Sequence, residues 1–414
     1  MSRFRSTASE AGLNRNPPLR IAIFVHGRFH AFDLARALIE RGHFVRVLTN
    51  YPRWATRRFG LPDTCIENHV LHGIASKAVD RIRRFWPRFD ADPFLHRWFG
   101  CWAARRLGMR EYDVVHGFTG VAEEPLLKVK APVHTIVRGS AHIRTQAEIL
   151  VAEQRRIGTR VDLPSAWSIA REEREYKLAD VILVLSTFAQ KSFVEQGVSP
   201  DRLRMISLGV DTRKFRPDAE TLARRLDRIR SGQPLRILTV GTFSCRKGAI
   251  DYLQIVQKLQ PRGFQFRFVG GIEREAKPIA RRVSAQIEFV PRQKQSSLTE
   301  QYAWGDLFLF PTIEDGFAVV LAQAQAACLP ILTTTNSSGP DLVRDDETGW
   351  VLPIRSPDLF IERFLWCAQN RNRLAEMVTF LGGHHRIRDW REVAADFETM
   401  THDLIRLRQQ SSPA

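Results

Sequence analysis

The chain has 414 residues, 44% of them hydrophobic, and a formal net charge of +17; this length exceeds what one core usually serves, so two domains are expected. No run approaches the roughly 18 apolar residues of a spanning helix, and the polar start MSRFRSTASEAGLNRNPPLR has no apolar centre like that of a secretory signal. A spanning protein is excluded, a cytoplasmic location is expected, and the charge asks for an anionic partner: nucleic acid, acidic lipid or a phosphorylated small molecule.

Residues 1–18 read as a disordered arm ending at Pro17-Pro18. LRIAIFVHG then reads as a buried strand, FDLARALIERGH as an amphipathic helix closed by Gly42, and FVRVLTN as a second strand; together they form a βαβ unit of a parallel sheet. YDVVHGF, VHTIVRG and DVILVLS continue the strands. The alternation restarts with PLRILTVG, FQFRFVGG, QIEFVP, DLFLFP and LPILTTT, interleaved with helical AIDYLQIVQKLQP and AVVLAQAQAAC. Between the two series, RKFRPDAETLARRLDRIRSGQP has the charge and prolines of a boundary. The expected fold is α/β, two Rossmann-like domains over 19–216 and 217–390 with parallel sheets facing a central cleft, and a helix over 391–414 packing back toward the first. The scattered Cys65, Cys101, Cys245, Cys328 and Cys367 read as free thiols, not a zinc or redox site.

Three segments carry chemistry. In FPTIEDGFAVVLAQAQAACLP a strand runs into an acidic loop with Gly316, then a helix whose exposed amides suit a phosphate. Asp315 and Gln323, eight positions apart, could hold different parts of one elongated ligand if both face the cleft; the plainer alternative is that Glu314 and Asp315 cap the helix and Gln323 is a surface residue. In VGTFSCRKGAIDYL a strand ends at Gly241, and Arg246 and Lys247 stand beside Gly248 at a helix start, placed to neutralise a diphosphate rather than to be solvated loop charges. In the first half, a turn at Gly27 brings Arg28, Phe29 and His30 near the cleft, without the G-x-G-x-x-G fingerprint of nicotinamide or flavin enzymes.

Asp315-Gly316-Phe317-Ala318 followed by Gln323-Ala324-Gln325-Ala326-Ala327-Cys328-Leu329-Pro330 resembles the donor signature of glycosyltransferase family 4, the group 1 glycosyltransferases. There an acidic residue precedes Gly-Phe-Gly, a Glu follows eight positions on, and Ala-x-Ala-x-Gly-x-Pro comes next. The resemblance spans nearly everything after Pro18. It implies the GT-B fold, an acceptor held by the first domain, a UDP- or GDP-linked sugar held by the second, and no separate cofactor. It also implies that Asp315, with Glu314 as competitor, reaches the transferred sugar. Gln323 takes the place of the Glu that binds the ribose. Lys247 matches the family lysine on the donor phosphates; Thr242 stands where the family has Arg, and Arg246 is expected to supply the missing guanidinium. The Gly27 loop resembles the one that approaches donor and acceptor. Relatives carry a histidine near the reacting sugar after the strand VHTIVRG; His142 is expected to be it, with Arg138 as competitor near Ser140. The segment from Glu173 to Pro217 resembles the family's passage out of the first domain, bracing the hinge.

The family also implies retention of anomeric configuration. Cations and helix amides would receive the leaving diphosphate without a metal; no convincing Asp-x-Asp loop lies between strands, and Asp345-Asp346 and Glu123-Glu124 read as surface pairs. Ser76 to Arg110 mixes Arg with Phe and Trp, which suits a helix at an anionic lipid interface and a lipid-linked or saccharide acceptor of cell-surface polysaccharide or lipopolysaccharide synthesis. Packing against a sheet is the ordinary alternative. The rivals are a nucleotide-sugar epimerase of the same fold and a nucleic-acid-binding protein; dispersed cations without a zinc-finger, RNP or basic-zipper pattern count against nucleic acid as a partner.

Overall fold

The computed structural model describes residues 17–86, 89–383 and 386–411; most of the expected arm over 1–18 lies outside them. Seven parallel strands build the first sheet: β1 (Arg20–Val25), β2 (Phe44–Thr49), β3 (Ile66–Asn68), β4 (Val114–Phe118), β5 (Val133–Val137), β6 (Val181–Val184) and β7 (Leu203–Met205), in the order β3-β2-β1-β4-β5-β6-β7. Six more parallel strands, β8 (Arg236–Val240), β9 (Gln265–Val269), β10 (Ile287–Val290), β11 (Leu307–Phe310), β12 (Ile331–Thr334) and β13 (Gly349–Leu352), form the second sheet in the order β10-β9-β8-β11-β12-β13.

Both faces of each sheet are covered, which is why the strands read as continuous apolar runs. In β1, Ile21, Ile23 and Val25 join one core cluster while Ala22 and Phe24 join another. In β11, Leu307 and Leu309 face one side and Phe308 and Phe310 the other. The strand order reverses between β1 and β4 and between β8 and β11, and crevices open at such switch points.

The boundary segment proves to be part of the second lobe. Helix Ala219–Arg230 is capped by Asp218, whose Oδ1 accepts from Thr221 N at 2.7 Å, and it buries Ile229 and the whole Arg225 side chain. Arg225 Nη1 donates to the Ala327 carbonyl at 2.6 Å, so the charge that marked a linker docks this helix. The chain returns to the first lobe at its end. Helix Trp390–Ser411 buries Val393, Ala394 and Phe397 in the first lobe's core; Arg41 Nε reaches Glu398 Oε2 at 2.7 Å and Arg408 Nη2 reaches Asp180 Oδ1 at 2.6 Å. All five cysteines are free. Among the described residues no helix is long and apolar enough to cross a membrane.

Ser76 to Arg110 is two elements, helices Val70–Phe85 and Asp92–Leu107. The second buries Leu95, Phe99, Ala103 and Leu107, so that face packs against the lobe, while Phe94 in its first turn stays exposed.

Candidate active site

The carboxyl ends of the two sheets face a hollow of about 990 Å³ whose lining includes Arg28, His30, Arg138, Arg246, Phe317 and Gln323. The loop after β1 enters it by a turn at Gly27, whose φ of 92° lies in the region that favours glycine; Gly27 N donates to Asn50 Oδ1 at 2.8 Å. His30 sits at the start of helix Ala31–Glu40 with its ring centroid 4.8 Å from that of Phe118 and 6.5 Å from that of Trp390. Burial pushes its pKa down to about 3, so the imidazole is neutral. Trp390, from the returning helix, gave no sign in the sequence that it would line this hollow.

From the second lobe, the loops after β8 and β11 meet. Gly241 ends β8, its N–H donating to the Val269 carbonyl at 3.0 Å. Lys247 Nζ donates to Asp315 Oδ2 at 2.5 Å and to the Glu314 carbonyl at 3.2 Å. Burial lowers the Lys247 pKa, against the pull of the Asp315 carboxylate. Helix Val319–Ala326 begins after Gly316 and Phe317, not at them, so Asp315 belongs to a loop beside the helix rather than to two turns of it. Gln323 does reach the hollow, and Tyr302 Oη donates to its Oε1 at 2.9 Å, a partner the sequence did not signal.

The two lobes touch through this same loop. Glu314 is fully buried and accepts from Ala141 N at 3.1 Å, Gln146 Nε2 at 2.8 Å and Arg246 Nε at 2.8 Å. Burial acts to raise its pKa, but Arg246 and Lys247, together with the hydrogen bonds from Ala141 and Gln146, hold it below the usual range. Arg246 Nη2 reaches Ser140 Oγ at 2.9 Å, so its guanidinium is engaged by both lobes. At Gly316 an added Cβ would lie 2.4 Å from Ser140 Cα, and only glycine permits that approach. Glu314 is thus the clasp between the lobes, while Asp315 pairs with Lys247 at 2.5 Å and neither of that pair borders the 990 Å³ hollow. Beyond the clasp lies a second hollow of about 660 Å³, bordered by Thr242, Ser244, Lys247 and Glu275 and, from the first lobe, Arg83 and Asp92.

His142 requires a correction. It caps helix Ile143–Ile157, its Nδ1 accepting from Arg144 N, and its ring packs 5.0 Å from both Tyr176 and Phe193. It is only 3% exposed and does not border the 990 Å³ hollow. The position carries a structural cap, and burial drives its pKa to about 4. Arg138, directly after β5, does reach the hollow, held by Glu172 at 2.8 Å and Gln146 at 2.8 Å. The Glu123-Glu124 pair is not a simple surface feature either: Glu124 is buried against Arg171 Nη2 at 2.6 Å. Asp345 and Asp346 are exposed, and Asp346 Oδ1 accepts from Trp350 Nε1 at 2.8 Å. Asp90-Ala91-Asp92 has Asp-x-Asp spacing, but Arg83 Nη2 holds Asp92 Oδ1 at 2.6 Å, so these carboxylates close a turn. Among the described residues no group of three His, Cys, Asp or Glu is placed to hold a metal ion.

Residues 28–214 match the family model described as Glycosyltransferase Family 4, and residues 234–370 match the one described as Glycosyl transferases group 1. The chain belongs to the group 1 glycosyltransferases. WcaL of Salmonella typhimurium, a glycosyltransferase assigned to colanic acid biosynthesis, is 23% identical to it over 212 residues, 47% of this chain and 50% of WcaL. The chain spans about half the length of such curated relatives in these matches. Anabaena HepE, crystallised with UDP and glucose, superposes with a TM-score of 0.66 at 11% identity, over 93% of this chain and 99% of HepE. WaaG, a glycosyltransferase involved in lipopolysaccharide biosynthesis, superposes at 0.63 with 18% identity, over 91% and 99%. This group 1 glycosyltransferase therefore has the GT-B architecture of facing Rossmann-like lobes.

Proposed function

We propose that the protein transfers a sugar from a UDP- or GDP-linked donor to a saccharide or lipid-linked acceptor in the synthesis of a cell-surface polysaccharide or lipopolysaccharide. The observation that carries this reading is the pairing of Lys247 with Asp315 across the β8/β11 switch point, with Arg246 and Gln323 on the adjoining hollow. The donor would part that pair: the diphosphate takes Lys247, a sugar hydroxyl takes Asp315, and Gln323 meets the ribose. WcaL and WaaG, with their stated roles in surface glycans, support the acceptor class, and HepE with UDP and glucose supports the donor class.

As the bond from the anomeric carbon to the phosphate oxygen breaks, negative charge grows on the leaving diphosphate. Lys247 and Arg246 receive it, so the step proceeds without a metal ion. The acceptor oxygen bonds to the anomeric carbon on the face the phosphate leaves, and its proton passes to the leaving phosphate oxygen, so configuration is retained. Closure through Glu314 and Gly316 keeps water from hydrolysing the donor. The work is done in the cytoplasm, with peripheral contact to an anionic membrane that presents the acceptor.

A panel of sugar nucleotides in a thermal-shift assay tests this, because a ligand that binds only the folded state raises its apparent stability. The matching donor should then be consumed only with acceptor present. Isomerised sugar nucleotide formed from donor alone would make the protein an epimerase, and no shift with any nucleotide would overturn the reading.

A further inference from the structure

Helix Val70–Phe85 turns an apolar face to solvent. Leu71, Ile74, Ala78, Ile82 and Phe85 are all exposed, Leu71 by 69% and Phe85 by 86%. Their spacing of three and four places them on one stripe, an arc of about 80° running about 21 Å along the helix. Trp86, Phe89 and Phe94 extend the exposed apolar surface past the helix end. The opposite face holds the helix to the lobe: His72 Nε2 bonds the Leu95 carbonyl at 2.9 Å, Arg83 holds Asp92, and Gly73 lies so close that a Cβ would meet the Asn50 carbonyl oxygen at 2.4 Å. An amphipathic helix with its apolar side outward is the reverse of what a core-packing helix shows.

We propose that this stripe inserts into the interface of an anionic lipid bilayer and docks the glycosyltransferase on it. Two observations favour a bilayer over a protein. Lys77 and Arg81 are exposed along one flank of the stripe, while Asp80 lies behind them, an arrangement that sets cations at phosphate level and apolar groups below it. The second is continuity with the site: Arg83, Phe89, Asp90 and Asp92, at the end of this helix, border the 660 Å³ hollow between the lobes. A lipid-linked acceptor in the bilayer plane would enter there. The proposal rests on the sugar-transfer reading only for what the docking serves.

The test is co-sedimentation of the full chain with vesicles of phosphatidylcholine alone or mixed with phosphatidylglycerol, alongside sizing in the absence of lipid. The wild type should bind the anionic vesicles, and Ile82→Glu with Phe85→Glu should weaken binding by about tenfold or more. Lys77→Ser with Arg81→Ser should remove the preference for phosphatidylglycerol. All these positions are exposed, so circular dichroism should be unchanged. Vesicle binding that is equal in the glutamate variant, or absent in the wild type, would overturn the proposal. So would a lipid-free dimer that the variant splits, since a second copy would then cover the stripe. Thermal shifts by UDP or GDP report the donor site separately: their loss would defeat the donor reading and leave the docking result standing.

Discussion

The Glu314 carboxylate of the second lobe accepts a hydrogen bond from Gln146 Nε2 of the first at 2.8 Å, while Arg246 of its own lobe holds it from behind at 2.8 Å. One buried carboxylate therefore records whether the lobes are together, and the adjacent Asp315 is delivered to Lys247 by the same loop.

Gly316→Ala places a Cβ where Ser140 Cα now stands 2.4 Å away, so the lobes must separate. The expected outcome is a larger radius of gyration by small-angle scattering and transfer slowed by about tenfold or more, since small misplacements at a reacting centre cost much of the rate. An unchanged scattering profile with normal turnover would show that the clasp is irrelevant to closure.

His142→Ala removes a helix cap and a ring packed between Tyr176 and Phe193. It should lower stability by about 2–4 kcal/mol, while kcat per folded molecule stays within about twofold of the wild type. A fall in kcat of a hundredfold in protein that remains folded would restore the catalytic role expected from sequence.

Tyr302→Phe takes away the hydroxyl that fixes Gln323 Oε1 at 2.9 Å. The amide would then be free to rotate, so the nucleotide should bind about five- to tenfold more weakly, the worth of one neutral hydrogen bond. Gln323→Glu keeps an acceptor for Tyr302 and should preserve or improve donor binding. Calorimetric titration with the nucleotide reads both, and a large loss in Gln323→Glu would count against its contact with the ribose.

Burial pushes His26, His72, His96 and His142 to pKa values of about 4, and His30 and His116 to about 3. All six lie in the first lobe. Their folded values are below the ordinary 6.5, so the stability tied to their neutral forms is full above pH 6.5 and is lost as pH falls toward 4. Each proton taken up only by the unfolded chain costs about 1.4 kcal/mol per pH unit. The melting temperature should decline between pH 6.5 and 5, before most carboxylates titrate, and the first lobe should unfold first. A flat melting temperature over that interval would contradict these burial effects.

Much of the fold was legible because strands buried on both faces leave unbroken apolar runs, and β1, β8 and β11 stand where LRIAIFVHG, PLRILTVG and DLFLFP announced them. β3, β7 and β13 were not: Glu67 and Arg204 interrupt the three-residue Ile66–Asn68 and Leu203–Met205, and Gly349–Leu352 opens on a glycine, so none forms an unbroken apolar run. At the site, the loops bearing Lys247 and Asp315 were readable from the motif. The clasp was not: Glu314 and Gln146 are 168 positions apart, and neither has a local pattern that names its partner. The same distance effect misled the reading of His142, whose aromatic neighbours come from elements far along the chain. Outward amphipathicity in helix Val70–Phe85 looks like inward amphipathicity until a tertiary neighbour is, or is not, found beside it.

Lys247→Ala, titrated by calorimetry with the sugar nucleotide that gives the largest thermal shift, puts the most direct question to the donor site. If the diphosphate replaces Asp315 as the partner of this ammonium group, affinity should fall by about ten- to a hundredfold, as for a charge-assisted bond, and turnover should be abolished while the fold persists. Unchanged affinity and near-normal turnover in a folded Lys247→Ala variant would contradict the account.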